Sequence, residues 1–294
     1  MTKVTNDINR ISYESEHYPP LLREITDAPL ELYIRGDATL LHQPKLLAVV
    51  GSRKSSAYGQ QALRQVVGPV VRAGVSLVSG LAFGIDALAH KLCLNHNVPT
   101  IAVLGGGIDD ASLYPRHHIS LAHQIVAAGG AVISEYPPGT SALPHHFLAR
   151  NRIIAGLCPA TLVIQAASRS GSLTTARLAL DANRDVMAVP GNVTDPLAQG
   201  VNRLTQAGAA PIITGDDLLN YFGIQPESAA IMPNNLSPQQ ALIITHIGST
   251  PLHIDELITQ TGLAANDLSI ILTELELLGV ITNTGGMKYM ATSL

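Results

Sequence analysis

The central part of the chain is expected to fold as a doubly wound, mostly parallel α/β sheet, with a small winged-helix domain after it. Three observations predict this. Short runs rich in Val and Ile recur at 46–50, 75–78, 100–104, 131–134, 161–165, 185–189 and 211–213. They scarcely alternate with polar residues, so they suit strands covered on both faces. The segments between them have the length of crossover helices, which place the strands parallel. Beyond residue 236 the pattern changes to three helical segments and a hairpin.

Taken in order, residues 1–44 show little periodicity and are expected to be a lead-in packed on the main domain. The first residues, Met1-Thr2-Lys3-Val4-Thr5-Asn6-Asp7, are polar and lack the apolar core of a signal peptide. No apolar run approaches the roughly 20 residues that span a bilayer, so a cytoplasmic protein without membrane contact is expected. Residues 45–224 form the main domain. Gly74 and Gly129-Gly130 mark helix ends, and Gly68-Pro69 should kink or break the first helical stretch. Residues 225–236 hold Pro226, Pro233 and Asn234-Asn235 and are expected to be a linker. In 237–294, Ser237-Pro238 opens one helix, 253–261 forms a second up to Gly262, and 265–278 a third up to Gly279. Two short strands joined across Gly285-Gly286 complete a winged-helix arrangement.

Net charge is −4, which argues against a polyanionic ligand until it is divided along the chain. Residues 45–220 hold 13 Lys/Arg against 9 Asp/Glu, whereas 221–294 hold 1 against 6. Phosphate binding therefore belongs to the middle of the chain. Cys93 and Cys158 have no partner at redox or zinc spacing and read as buried thiols.

Ligands of open α/β sheets bind beyond the carboxyl ends of the strands, so those loops are the place to look. The first, Gly51-Ser52-Arg53-Lys54-Ser55-Ser56, combines small residues, hydroxyls and cations but matches neither nucleotide-binding glycine fingerprint. The second holds Gly80 and Gly84, which permit close backbone approach, and Asp86, read as a helix cap. Gly105-Gly106-Gly107 suits either a phosphate nest or a plain turn. The fifth, Ser168-Arg169-Ser170-Gly171-Ser172, has hydroxyls, a glycine and an arginine where an anion meets a helix start. Between them lies Phe147-Leu148-Ala149-Arg150-Asn151-Arg152. On a helix, Phe147, Arg150 and Asn151 share one face. A ring that stacks a base beside a guanidinium that meets a phosphate is the pairing of a single-stranded nucleic-acid site. An aromatic in the core beside surface arginines is the simpler account of the stretch taken alone. The pairs His117-His118 and His145-His146 are expected at the surface, although one beside Phe147 suits stacking on a base. No nucleophile with a base, no carboxylate pair and no metal-ligand cluster is visible, so no catalysis, metal or cofactor is expected.

The chain resembles the DNA-processing protein A (DprA/Smf) family. The resemblance rests on Gly51-Ser52-Arg53, on Ser79-Gly80-Leu81-Ala82 with Gly84-Ile85-Asp86-Ala87, and on Ser134-Glu135-Tyr136-Pro137-Pro138-Gly139-Thr140. It rests equally on Phe147 followed by Arg150-Asn151-Arg152-Ile153-Ile154-Ala155-Gly156-Leu157, and on Ser170-Gly171-Ser172-Leu173. It implies an extended Rossmann fold, single-stranded DNA binding, and loading of a RecA-type recombinase in natural transformation, by a homodimer. It also implies a DNA pocket made by Arg53, Phe147, Arg150 and Arg152 over a floor of Gly51, Ser52, Ser170 and Gly171. Gly80, Gly84 and Asn151 join them as candidate contacts. Two positions depart from the family pattern. Gln165 stands where many members have a glutamate, and Pro144 where some relatives supply a lysine. The alternative, a phosphoribohydrolase-like enzyme on a related fold, needs a glutamate in the glycine-hydroxyl loop; Ser170 to Arg177 contains none.

Overall fold

The computed structural model describes residues 7–225, 236–248, 250–278 and 280–291. The expected linker, 226–235, and the helix stop at Gly279 lie outside the described residues. The chain divides into two compact units, Met1–Ile224 and Gln225–Leu294.

The first unit contains a sheet of nine described strands. In chain order these are β1 (Ile8–Ser12), β2 (Glu31–Gly36), β3 (Leu46–Val50), β4 (Ser76–Ser79), β5 (Thr100–Leu104), β6 (Ala131–Ser134), β7 (Ala160–Val163), β8 (Asp185–Ala188) and β9 (Ala210–Pro211). Their spatial order is β1-β2-β6-β5-β4-β3-β7-β8-β9. β3 to β9 are mutually parallel. The order reverses between β3 and β7, so the loops after these two strands part there and leave a crevice.

The lead-in does more than pack on the domain. β2 pairs antiparallel with β1 on one side and with β6 on the other, extending the sheet. Leu32 and Ile34 alternate into the core, a period-2 signal too short to stand out in the sequence. Within the seven-residue gap between β1 and the short helix α1 (Pro20–Arg23), Tyr18 is buried and its hydroxyl donates to the Pro29 carbonyl at 2.7 Å.

Helices cover both faces: α2 (Ala57–Ala62), α3 (Gly68–Arg72), α4 (Ile85–Asn95), α5 (Ile119–Ala127), α6 (Pro144–Leu157), α7 (Gly171–Asp181), α8 (Gln199–Gln206) and α9 (Gly215–Tyr221). Alternate residues of β3 enter opposite cores. Leu46, Ala48 and Val50 meet Ile153, Ile154 and Leu157 of α6, while Leu47 and Val49 meet the layer of Val66, Val70 and Leu92. This is why the strands read as nearly unbroken apolar runs. Gly68-Pro69 does not end its helix. Pro69 withholds an N–H from the ladder, and the turn before it, Leu63–Val67, widens to a π-turn that carries the axis on into α3.

The second unit has its own core, made by Ile243, Leu257, Leu268, Leu272, Leu275 and Ile281. Ser237 and Gln240 close a capping box on α10 (Pro238–His246). The strand β10 (Leu252–His253), α11 (Ile254–Thr261) and α12 (Ala265–Leu277) follow. Gly262 ends α11 in the left-handed region at φ 69°. β11 (Ile281–Gly285) and β12 (Lys288–Ala291) complete a three-stranded sheet in the order β10-β12-β11. Helices and hairpin are thus where the residue pattern placed them, with β10 as an added strand.

Candidate functional site

A cleft of about 570 Å³ opens at the carboxyl ends of β3 and β7, where the strand order reverses. Its walls come from segments far apart in sequence: the loop after β3, the start of α4, the middle of α6 and the loop into α7. Gly51, Ser52, Arg53, Phe147, Arg150, Asn151, Ser170 and Gly171 all line it.

α6 begins at Pro144, whose absent N–H costs nothing in the first turn. Ile153, Ile154 and Leu157 bury its distal half. This fixes the rotation of the helix and turns Phe147, Arg150, Asn151 and Ile154 toward the cleft. Arg152 lies on another face. Its Nη2 and Nη1 meet Glu135 Oε2 and Oε1 at 2.6 and 3.2 Å, and its Nε meets Asp27 Oδ2 at 3.0 Å. Arg152 thus helps tie the lead-in to the main sheet and does not line the cleft. Its distance from Arg150 is a matter of helical phase, since successive residues on a helix are about 100° apart.

Arg150 is the unusual member. It is 4% exposed, and its Nε and Nη1 have no hydrogen-bond partner among the described residues. A guanidinium taken from water at such cost needs a counter-charge. Asp86 supplies part of it across the cleft floor. Burial lowers the Arg150 pKa to about 10 against the favourable field of Asp86, with Arg53 adding to the depression. Burial raises that of Asp86, and Arg150 opposes the rise. Asp86 is not the helix cap that its position suggested. Gly84 is the N-cap of α4 and makes no side-chain cap bond, while Asp86 Oδ2 accepts the Gly80 N–H at 3.1 Å. The first N–H groups of α4 have backbone partners instead, Ile85 N–H on the Ser52 carbonyl and Ala87 N–H on the Ala82 carbonyl, which leaves the carboxylate to the loop and the cation.

Gly80 and Gly84 shape the floor but do not line it. A Cβ on Gly80 would fall 1.6 Å from Arg150 Nη1. Gly84 has φ +76°, and a Cβ there would fall 2.2 Å from the Ser52 carbonyl oxygen. The loops after β3 and β4 therefore lie one on the other. Gln165, two residues beyond β7, holds the first of them. Its Oε1 accepts the Ser56 N–H at 3.0 Å, its Nε2 donates to Ser56 Oγ at 2.8 Å, and its backbone carbonyl accepts Ser52 N–H at 2.7 Å. The Gln165 side chain thus has a scaffolding role.

Arg53 is exposed, and its guanidinium carbon stands 5.9 Å from the Phe147 ring centroid. Ser170 caps α7 by accepting the Ser172 N–H at 3.3 Å. No atom lies within 4 Å of where a Gly171 Cβ would be, so the α7 N-terminus is open to the cleft. An anion there would meet the positive end of the helix dipole. Lys54, Arg169 and Leu197 also line the cleft and were absent from the expected contacts. Lys54 and Arg169 sit in loops already marked by their charge, whereas Leu197 carried no signal. The triple glycine is a packing device: Cβ atoms at Gly105 and Gly106 would fall 2.9 and 3.1 Å from the backbone of His146 and Ala142. His146 stacks on Tyr136 with centroids 4.1 Å apart, and His118 Nδ1 lies 2.7 Å from the Leu81 carbonyl.

A doubly wound sheet with a cationic, aromatic-edged cleft at its switch point defines a Rossmann-like protein. The chain belongs to the DNA recombination-mediator protein A family, whose model matches residues 9–223. The DprA winged helix domain model matches residues 225–287. Protein Smf of Escherichia coli K12 is 37% identical over 285 residues, 94% of this chain and 75% of that protein. DNA processing protein DprA of Streptococcus pneumoniae is 44% identical over 205 residues, 70% of this chain and 71% of that protein. A crystal structure of the pneumococcal protein superposes with a TM-score of 0.67 at 41% identity, covering 74% of this chain and 75% of that one. A structure of DNA processing protein A from Helicobacter pylori, concerned with its single-stranded DNA binding mode, gives 0.65 at 28%, covering 74% and 95%.

Proposed function

We propose that the cleft binds single-stranded DNA, and that the protein acts without catalysis as a recombination mediator. In this reading it shields the incoming strand in natural transformation and delivers it, as a homodimer, to a RecA-type recombinase. The observation that carries the reading is Arg150, a buried guanidinium with two unpartnered nitrogens at the cleft floor. A phosphate in the cleft supplies the counter-charge that this desolvated guanidinium lacks. Arg53, Lys54 and Arg169 extend the cationic wall, and Phe147 offers a ring for a base.

Family membership and the described DNA-binding mode of the Helicobacter relative support the same ligand. Asp86, the one carboxylate among the lining residues, is spent on Gly80 N–H and Arg150. That leaves the hydrolase alternative without its acid–base pair.

The test is a titration of single- and double-stranded oligonucleotides at two salt concentrations. The reading expects tighter binding of the single strand and a marked loss with salt. Equal affinity for both forms, or release of free base from nucleoside monophosphates, would reject it.

A further inference from the structure

The chain has three phenylalanines and no tryptophan. Phe222 packs edge-on against Tyr221, as a scarce aromatic in a folded domain is expected to do. The other two, Phe83 and Phe147, stand at the carboxyl edge of the sheet, and Phe83 is 44% exposed. Tyr114 joins them there at 52% exposed.

These rings are connected. Tyr114 meets Phe147 with centroids 5.6 Å apart and planes tilted by 47°. The same loop then places His118 4.7 Å and His117 6.0 Å from the Phe83 ring. Residues 114–118 thus carry a rail of rings from the cleft to Phe83. The bond from His118 to the Leu81 carbonyl fixes one end of it. Arg116, between the two ring contacts, is exposed and held by the carbonyls of Asp110 and Ala111 at 3.2 and 2.8 Å. The nearby Asp110 carboxylate is already engaged by Arg35 and His123. Exposed rings alternating with a tethered cation make a track for a stacked, charged polymer.

We propose that the strand held in the cleft continues onto this rail, where Tyr114 and Phe83 each stack a further base and Arg116 meets the intervening phosphate. The inference rests on the cleft being a single-stranded DNA site. Continuity selects the occupant, because the rail begins on the ring that edges the cleft.

The experiment compares oligothymidylates of about 4 and about 20 nucleotides, one that fills the cleft and one that overruns it. The proteins are wild type, Phe83→Ala and Phe83→Ala/Tyr114→Ala, and each melting temperature is recorded. The long strand should bind wild type more tightly than the short one does. The double variant should lose about tenfold on the long strand, the single variant less, and short-strand affinity should hold for Phe83→Ala. No binding of either strand by wild type removes the cleft reading itself. Normal long-strand binding by the double variant overturns the rail alone and leaves the exposed rings to a protein partner. Photocrosslinking of wild type to a 5-iododeoxyuridine strand, mapped by mass spectrometry, needs no variant to fold. Adducts on Tyr114 or Phe83 support the rail, and adducts confined to cleft residues overturn it.

Discussion

Arg53 and Arg150 carry the same charge at the same cleft but should respond differently to removal. Arg53 is exposed and reaches the cleft from a loop, so in the proposed single-strand site Arg53→Ala should remove one phosphate contact. Its plot of log affinity against log salt should flatten by about 0.7. Phe147→Ala should weaken single-strand binding by about 1–3 kcal/mol through lost stacking, with the salt slope unchanged. If the two variants shift the slope alike, the division between charge and stacking is wrong. Arg150 is a poorer test of charge, because its removal also takes the larger of two cationic fields, the other being that of Arg53, from the buried Asp86 carboxylate. His90 offers a test of stability. It is fully buried, with Nδ1 2.9 Å from Thr100 Oγ1. The Thr100 hydroxyl donates to the Leu77 carbonyl, so His90 Nδ1 donates to Thr100 and Nε2 carries the lone pair. Burial, with the fields of His118 and Arg150, lowers its pKa to about 3. The unfolded chain takes up this proton below about 6.5 and the folded chain does not. The stability from neutral His90 is therefore complete above that pH and lost progressively as pH falls toward 3. Urea midpoints should decline from pH 7 to 4.5, and His90→Gln should show a shallower decline. An equal slope in the variant would assign the titration to another group.

α6 is the element that sorts the cluster 147–152 into two roles. Its cleft face carries Phe147, Arg150 and Asn151, and a different face carries Arg152 to Glu135 and Asp27. Glu135 is itself mostly buried, so Arg152→Ala leaves it with a desolvation cost and no cation. The expected loss is about 1–3 kcal/mol of unfolding free energy, read from denaturant melts, with single-strand affinity unchanged where the protein is folded. A selective fall in affinity at full stability would return Arg152 to the binding site. The same helix explains why proximity in sequence misleads here. Two arginines two residues apart on a helix diverge by about 200° around the axis.

The two units differ in charge as well as fold. Residues 221–294 hold one Lys/Arg and six Asp/Glu, and α12, the groove-reading helix in winged-helix proteins, carries Asp267, Glu274 and Glu276. A helix without cations is ill suited to a phosphate-lined groove. Removing residues 226–294 should therefore leave single-strand affinity within a small factor of the full chain. A loss of about a hundredfold in a filter-binding titration would show that the second unit contributes to the site.

Much of this molecule was legible before it folded. Buried strands in a parallel sheet must be apolar on both faces, so β3 to β8 declared themselves through Val and Ile. The helical phase of Phe147, Arg150 and Asn151 follows from their spacing alone. The loops of small residues, hydroxyls and cations marked the carboxyl edge. The lead-in strands were not legible, because β2 shows only Leu32 and Ile34 in alternation and owes its place to pairing with β6. Nor was the burial of Arg150, which depends on Gly80 having no side chain and on Asp86 turning away from the helix cap. The removal of Arg152 from the cleft depends on Glu135 and Asp27, which lie 17 and 125 residues away in the chain. Local sequence determined which segments become strands and helices, since backbone preference and apolar period act over a few residues. The tertiary structure decided which arginine faces the cleft and which is a brace, because desolvation and ion pairing are set by neighbours brought from elsewhere in the chain.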